Sequence, residues 1–223
     1  PDSVTSIGYE TFYCCSSLIS ISIPDNVTCI GDDTFSGCSS LTNITIPDSV
    51  TYIGEQAFSR CSTLTSISIP GSVTVIDWAA FSECSNLTSV TIQDGTTCIS
   101  SAAFSRCSSL KTISIPDSVT SIGRYAFYDT QWLSDQGDFA IVGSSFLYKY
   151  QGEATSISIP DNVTCIGDWA FSGCYSLKSI SIPDSVTSIG EYAFAECSGL
   201  TKINFLGNAP AIEDYAFDND TAI

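Results

Sequence analysis

Eleven cysteines, 24 carboxylates and not one histidine are the side chains with which this 223-residue chain could do chemistry. The missing imidazole excludes the Ser-His-Asp and Cys-His nucleophile pairs, histidine acid–base catalysis and the commonest ligand of zinc and copper. Thiols remain as metal ligands or disulfide partners, and carboxylates remain as calcium ligands or as an acid–base pair. Seven of the cysteines fall at one place relative to a leucine: Cys15, Cys38, Cys61, Cys84, Cys107, Cys174 and Cys197 each precede a leucine by three residues. A ladder of that kind supplies no tight C-x-x-C pair for a metal. Stacked in register, its Cβ vectors run parallel, whereas a disulfide needs them to converge. The expectation is an inward, reduced, slowly reacting thiol column, since free cysteine is among the most buried residue types. Cys29, Cys98 and Cys165 share a column with Ser6, Tyr52 and Val75 and are expected to be part-exposed.

The carboxylates form a column as well: Asp2, Asp25, Asp48, Asp117, Asp161 and Asp184. Like charges about 5 Å apart could be bridged by calcium, or they could serve as Asx-type turns after proline, which need no ion. Neither EF-hand nor RTX-type spacing is present. A glycosidase pair would have to converge in a pocket, which a repeating edge does not form. No residue is assigned a catalytic role, and no metal or cofactor is expected.

Both columns exist because the chain repeats. "IPDSVTSIG" occurs at 115–123 and again at 182–190, and "IPDNVTCIG" at 23–31 and 159–167. Repeats start at 1, 24, 47, 70, 93, 116, 160 and 183, a step of 23 residues with one interruption. Phe12, Phe35, Phe58, Phe81, Phe104, Phe127, Phe171, Phe194 and Phe217 share one column, with valine, leucine and isoleucine columns beside it. Apolar residues recurring at this period mean coils of a solenoid, each burying its inward side chains against the next. "LTSISIP" (64–70) alternates apolar and polar residues, the pattern of a half-buried strand ended by proline. "VTSIG" reads as a second short strand whose glycine suits positive φ, and "EQAFSRC" (55–61) as a 3₁₀ or α turn at the corner.

The strand signature L-x-x-I-x-I and the longer pattern "IPDSVTSIGEYAFAECSGLTKI" (182–203) resemble the BspA-like leucine-rich repeat family over nearly the whole chain. The resemblance implies a single right-handed solenoid over 1–223, with a parallel β-sheet along one face and short strands or 3₁₀ turns on the other. It also implies a bacterial or protist protein at the cell surface or outside the cell, linked to adhesion to host matrix or to other cells. In leucine-rich repeats the strand face is usually the ligand-binding one.

Here that face is flat and hydroxylated. Ser66, Ser68, Ser89, Thr91 and Ser114 are its candidate contacts, and Lys111 is one of three lysines that break the monotony. A solvated sheet face, with threonine favoured for strand propensity, is the competing reading. Residues 128–152, "YDTQWLSDQGDFAIVGSSFLYKYQG", interrupt the repeat within an irregular unit spanning 128–159 and read as a hairpin around Gly-Ser-Ser. They form either a structural patch between coils or a specificity element, whose anchors would be Trp132, Phe146, Tyr148 and Tyr150. Outer-turn aromatics (Trp78, Tyr125, Trp169, Tyr192, Tyr215) either stack on sugars or lie over the neighbouring coil. Residues 206–223 read as the start of a cap, while the N-terminus opens inside a repeat, as in a piece cut from a longer protein.

A formal charge of −17 makes nucleic acid and anionic membranes poor partners. No apolar run is long enough to span a bilayer. Sequons at Asn26, Asn43, Asn86, Asn162 and Asn219 matter only in a secreted eukaryotic chain. The expectation is a non-catalytic binding or adhesion module for protein or glycan partners. Its rival is a passive spacer holding another domain of a longer protein.

Overall fold

A computed structural model describes residues 3–218; Pro1, Asp2 and residues 219–223, with the sequon at Asn219, lie outside the described residues. The chain forms two compact units, Pro1–Asp135 and Gln136–Ile223. Each is a parallel β-solenoid built on the 23-residue step.

In the first unit, six two-residue strands (Ser6–Ile7, Cys29–Ile30, Tyr52–Ile53, Val75–Ile76, Cys98–Ile99, Ser121–Ile122) pair in that order. These are the "VTSIG" segments. The "LTSISI" segments make a shorter sheet of Ser66–Ile69, Ser89–Ile92 and Thr112–Ser114, with an isolated parallel bridge between Ser20 and Asn43. Alternation works as the pattern requires: Ile67 and Ile69 are buried while Ser66 and Ser68 are exposed. Each strand stops at its proline, whose carbonyl closes a turn. The N–H of Val27, Val50 and Val73 donates to the oxygen of Pro24, Pro47 and Pro70, each at 3.0 Å.

The interior is a ladder of rings. Phe12, Phe35, Phe58, Phe81, Phe104 and Phe127 stack with centroids 5.1–5.8 Å apart. Beside them the thiols have a specific task. Cys38, Cys61, Cys84 and Cys107 donate S–H bonds of 3.1–3.2 Å to the carbonyls of Phe12, Phe35, Phe58 and Phe81, 26 residues back. These cysteines are buried and free, while Cys15, on the first coil, is exposed. Burial first, then the neighbouring thiol, pushes Cys61 up to about 12. Cys29, Cys98 and Cys165 are partly exposed, as expected.

The glycine of "VTSIG" does not have positive φ; glycines 37, 95, 143 and 173 do. It is needed for close approach: a Cβ on Gly54 would run into Asp32 of the previous coil, and one on Gly123 into Ser101. Left-handed backbone sits instead at the corner, mostly on non-glycine residues such as Gln56 (φ 53°) and Arg60 (φ 59°), with Gly37 and Gly173 at the second position of their coils. Every other corner amide makes an i→i−3 bond as a 3₁₀ turn would (Ser59 N–H to Gln56 O, 2.9 Å). The amides between reach the next coil: Gln56, Phe58 and Arg60 donate to the oxygens of Trp78, Ala80 and Ser82 at 2.8–2.9 Å. Alternate N–H groups thus turn outward from the coil, and the corner is held by its own backbone ladder.

The second unit opens with a hairpin, Phe139–Val142 antiparallel to Phe146–Tyr150, and the inner strand continues in parallel into Cys165–Ile166, Ser188–Ile189 and Ala211–Ile212. A separate sheet joins Ser156–Ser158, Ser179–Ile182 and Lys202–Phe205. Its ring ladder runs Phe139, Tyr150, Phe171, Phe194, Phe217. Tyr150 therefore occupies the phenylalanine position, and the hairpin serves as a substitute coil.

Candidate binding surfaces

The strand face of the first unit holds the expected set in register. Ser66, Ser89 and Thr112 are Cα partners across three strands, as are Ser68, Thr91 and Ser114. Ser66, Ser68, Thr91, Ser114 and Lys111 are exposed and Ser89 is partly so. Small hydroxyls side by side can hydrogen-bond a ligand but offer no deep anchor.

The four aromatic anchors are placed otherwise. Tyr148 (6% exposed) and Tyr150 (2%) are interior, so neither presents a ring face to a partner. Tyr150 is committed to the stack, and Phe146 is partly buried, its ring resting where a Cβ of Gly167 would lie. Trp132 belongs to the first unit. It sits on the short helix Gln131–Ser134, capped by Thr130, with its ring edge-on to Phe127 at 4.9 Å. Its amide donates to Leu110 O at 2.6 Å. Phe146, Tyr148 and Tyr150 stand two residues apart on one strand and so share a face, and that face is largely covered.

A cluster that the sequence reading passed over lies on the corner of the first unit. Glu83 joins Arg60 (Nε to Oε2, 3.1 Å) and Arg106 (Nη1 to Oε1, 3.7 Å). Both guanidinium side chains are more than 60% exposed. The Arg124 guanidinium lies 4.5 Å over the Tyr125 ring, and Tyr128 meets Tyr125 edge-on at 5.7 Å. Ser82, Glu83, Ala102, Ser105, Arg106, Tyr125 and Tyr128 enclose a hollow of about 400 Å³. All three arginines of the chain are thus on this corner. The signal was available, because residues 60, 83 and 106 are each 23 apart and read Arg, Glu, Arg.

In the second unit the corner aromatics stack on one another: Trp169 to Tyr192 at 4.3 Å and Tyr192 to Tyr215 at 5.4 Å. Rings that face each other cover their own faces, which matches the packing alternative and leaves mainly edges outward. A hollow of about 320 Å³ adjoins Lys149, Tyr150, Cys174 and Tyr175. The Lys149 ammonium donates to the carbonyls of Trp169 and Ser172. The Cys197 hydrogen bond, and then Lys149, lower the Cys174 thiol below its usual range against the effect of burial.

Among the described residues no three histidine, cysteine or carboxylate side chains group as a metal site. The described members of the aspartate column, from Asp25 to Asp184, are each exposed. Among the same residues no helix is long and apolar enough to cross a membrane.

The chain is 30% identical to a leucine-rich cell surface protein from Faecalibacterium prausnitzii, covering 99% of this chain and 76% of that one, with a TM-score of 0.51. It is 29% identical to a leucine-rich repeat protein from Bacteroides ovatus (TM-score 0.53), with 100% of this chain aligned to 63% of that one, so it spans less than two thirds of that relative. No curated protein matches. The family profile described as "BspA type Leucine rich repeat region" matches six copies over residues 5–134 and 141–223. With that profile laid over the same proline turns, strands and phenylalanine corners, the chain belongs to the BspA-type leucine-rich repeat family.

Proposed function

We propose that this chain is a non-catalytic binding or adhesion module acting at a cell surface or outside the cell, and that its strand face touches the partner. The carrying observation is the in-register array Ser66–Ser89–Thr112 and Ser68–Thr91–Ser114 on consecutive coils, exposed except for the partly covered Ser89, with Lys111 at its edge. One weak polar contact repeated at each coil favours an extended protein or glycan partner that can engage several at once. The description of the Faecalibacterium relative as a cell surface protein supports the location. The −17 charge argues against nucleic acid.

The test is binding of the chain to arrayed matrix proteins, glycans and whole cells, repeated with Ser68→Glu/Thr91→Glu. Both positions are exposed, so folding should survive, as circular dichroism would verify. Binding that the double variant abolishes supports the strand face. Undiminished binding removes it from the site. A chain that binds nothing in the array is better read as a spacer for another domain.

A further inference from the structure

We propose that the corner hollow of the first unit is a site for a carboxylated saccharide, gripped by Arg60 and Arg106 and stacked against Tyr125 and Tyr128. This rests on the reading of the chain as a binding module but places a site on a different face.

Four observations converge. Arg106 lines the hollow, and Arg60, two coils back, is drawn beside it by the Glu83 carboxylate that both guanidinium groups share, so two cations converge at its edge. Beside Glu83 both arginine side chains stay more than 60% exposed, which leaves guanidinium N–H donors within reach of a ligand carboxylate. Tyr125 (50% exposed) and Tyr128 (51%) meet at an interplanar angle of 71°, forming two walls of an apolar corner that can receive the C–H face of a sugar ring. Arg124 lies over one face of Tyr125 at 4.5 Å. Ser82, Ser105 and the Glu83 carboxylate supply hydroxyl partners along the same hollow, which has the size of a small-ligand site. Mixed donors, acceptors and aromatic walls suit a polyhydroxylated acid better than a purely anionic or purely apolar ligand.

The chain as a whole repels anions, and Asp129 follows Arg106 one coil on. At about 0.15 M ionic strength, however, charges beyond about 8 Å are largely screened, and the local guanidinium groups decide. Glu83 then competes with the ligand carboxylate for the same two arginines.

The experiment is calorimetric titration of the intact chain with oligogalacturonate, with a neutral glucose oligomer and poly-glutamate as comparisons. Oligogalacturonate is expected to bind, the neutral oligomer much more weakly, and poly-glutamate weakly because nothing in it stacks. Arg60→Gln and Arg106→Gln should each weaken oligogalacturonate binding about tenfold or more. Tyr128→Ala should weaken it similarly while Tyr128→Phe retains it, which separates stacking from the phenol. Glu83→Gln should strengthen binding, because it removes the competing carboxylate; an Arg–Glu–Arg ladder that served stability alone would not respond in that direction. Loss of binding in Glu83→Gln, unchanged binding in both arginine variants, or equal affinity for poly-glutamate overturns the proposal. So does a chain that takes up no acidic saccharide while still binding another partner through Ser68 and Thr91, an outcome that leaves the module reading intact.

Discussion

On the strand face of the first unit, Ser66 and Ser68 give way to Ser89 and Thr91 on the next coil and to Thr112 and Ser114 after that. On the corner, Gln56 and Arg60 give way to Ala79 and Glu83 and then to Ala102 and Arg106. One surface repeats its chemistry, and the other reverses its charge from coil to coil in the column Arg60, Glu83, Arg106. The backbone accounts for the contrast. A strand side chain sits about 4.8 Å from its counterparts on either side, so size and strand propensity limit what can stand there. A corner residue in the left-handed region is held by its amide bond to the next coil, as Arg60 is to Ser82 O at 2.8 Å, and its side chain projects outward. Where the main chain supplies the ladder, the side chain is left to vary, and the charged and aromatic cluster is found there.

The largest effect should come from the interior that both surfaces share. Phe104 is fully buried between Phe81 and Phe127. Phe104→Ala should cost about 3–5 kcal/mol through the cavity it leaves. Tyr125→Ala, on the exposed corner, should cost under about 1 kcal/mol. Urea unfolding of the two variants checks this. Similar midpoints would mean that the stack does not carry the coil.

The thiol ladder gives the next effect, and its sign follows from burial. Cys61 is pushed up to about 12 from an ordinary 9.0, chiefly by burial. Between those values the folded chain keeps the proton and the unfolded chain has lost it, so stability is full below pH 9 and falls as pH rises toward 12. The slope is about 1.4 kcal/mol per pH unit for each such thiol. Exposed Cys14 and Cys15 should react with a thiol reagent at once, and Cys61, Cys84 and Cys107 only on unfolding. A Cys61→Ala variant with an unchanged alkaline limb of stability would refute the ladder's part in it.

Much of this was legible because a repeat multiplies weak signals. A single phenylalanine says little, but a phenylalanine column at a 23-residue step fixes the coil, the stack and the place of the thiols. Handedness along the backbone was not legible in the same way. Glycine invited a positive-φ reading in "VTSIG", yet close approach to Asp32 explains Gly54, and residues as varied as Gln56, Ala79 and Tyr125 adopt the left-handed turn. No residue type marks that turn, since inter-coil bonds impose it. The hairpin was legible as a hairpin but not as a coil: Tyr150 takes the phenylalanine place only because its strand pairs in parallel with Cys165–Ile166, a long-range contact absent from the local pattern. The candidate site suffered from the opposite fault. The break at 128–152 stands out in the sequence, whereas Arg60, Glu83 and Arg106 lie where the 23-residue step holds and are masked by it.

The smallest effect is also the sharpest test of the contrast, because one substitution should carry opposite signs on the two surfaces. Ala102 sits on the corner at φ 59°, a conformation that costs an L-residue roughly 1–2 kcal/mol and glycine almost nothing. Glycine gives back about 0.5–1 kcal/mol through the greater freedom of its unfolded chain. Ala102→Gly should therefore be neutral or stabilising, by up to about 1.5 kcal/mol. Ser68 lies mid-strand with ordinary extended geometry, so Ser68→Gly relieves nothing and should destabilise by about 0.5–1 kcal/mol. Thermal and urea unfolding of the pair, with Ser68→Ala as the control for the lost hydroxyl, reads the difference directly. If both glycine variants lose stability equally, the left-handed corner is relaxed in this sequence, and the freedom of its side chains must have another cause. If Ala102→Gly alone gains, the corner tolerates any residue at a fixed conformational cost, which is the condition under which a repeat can keep its fold and change its surface.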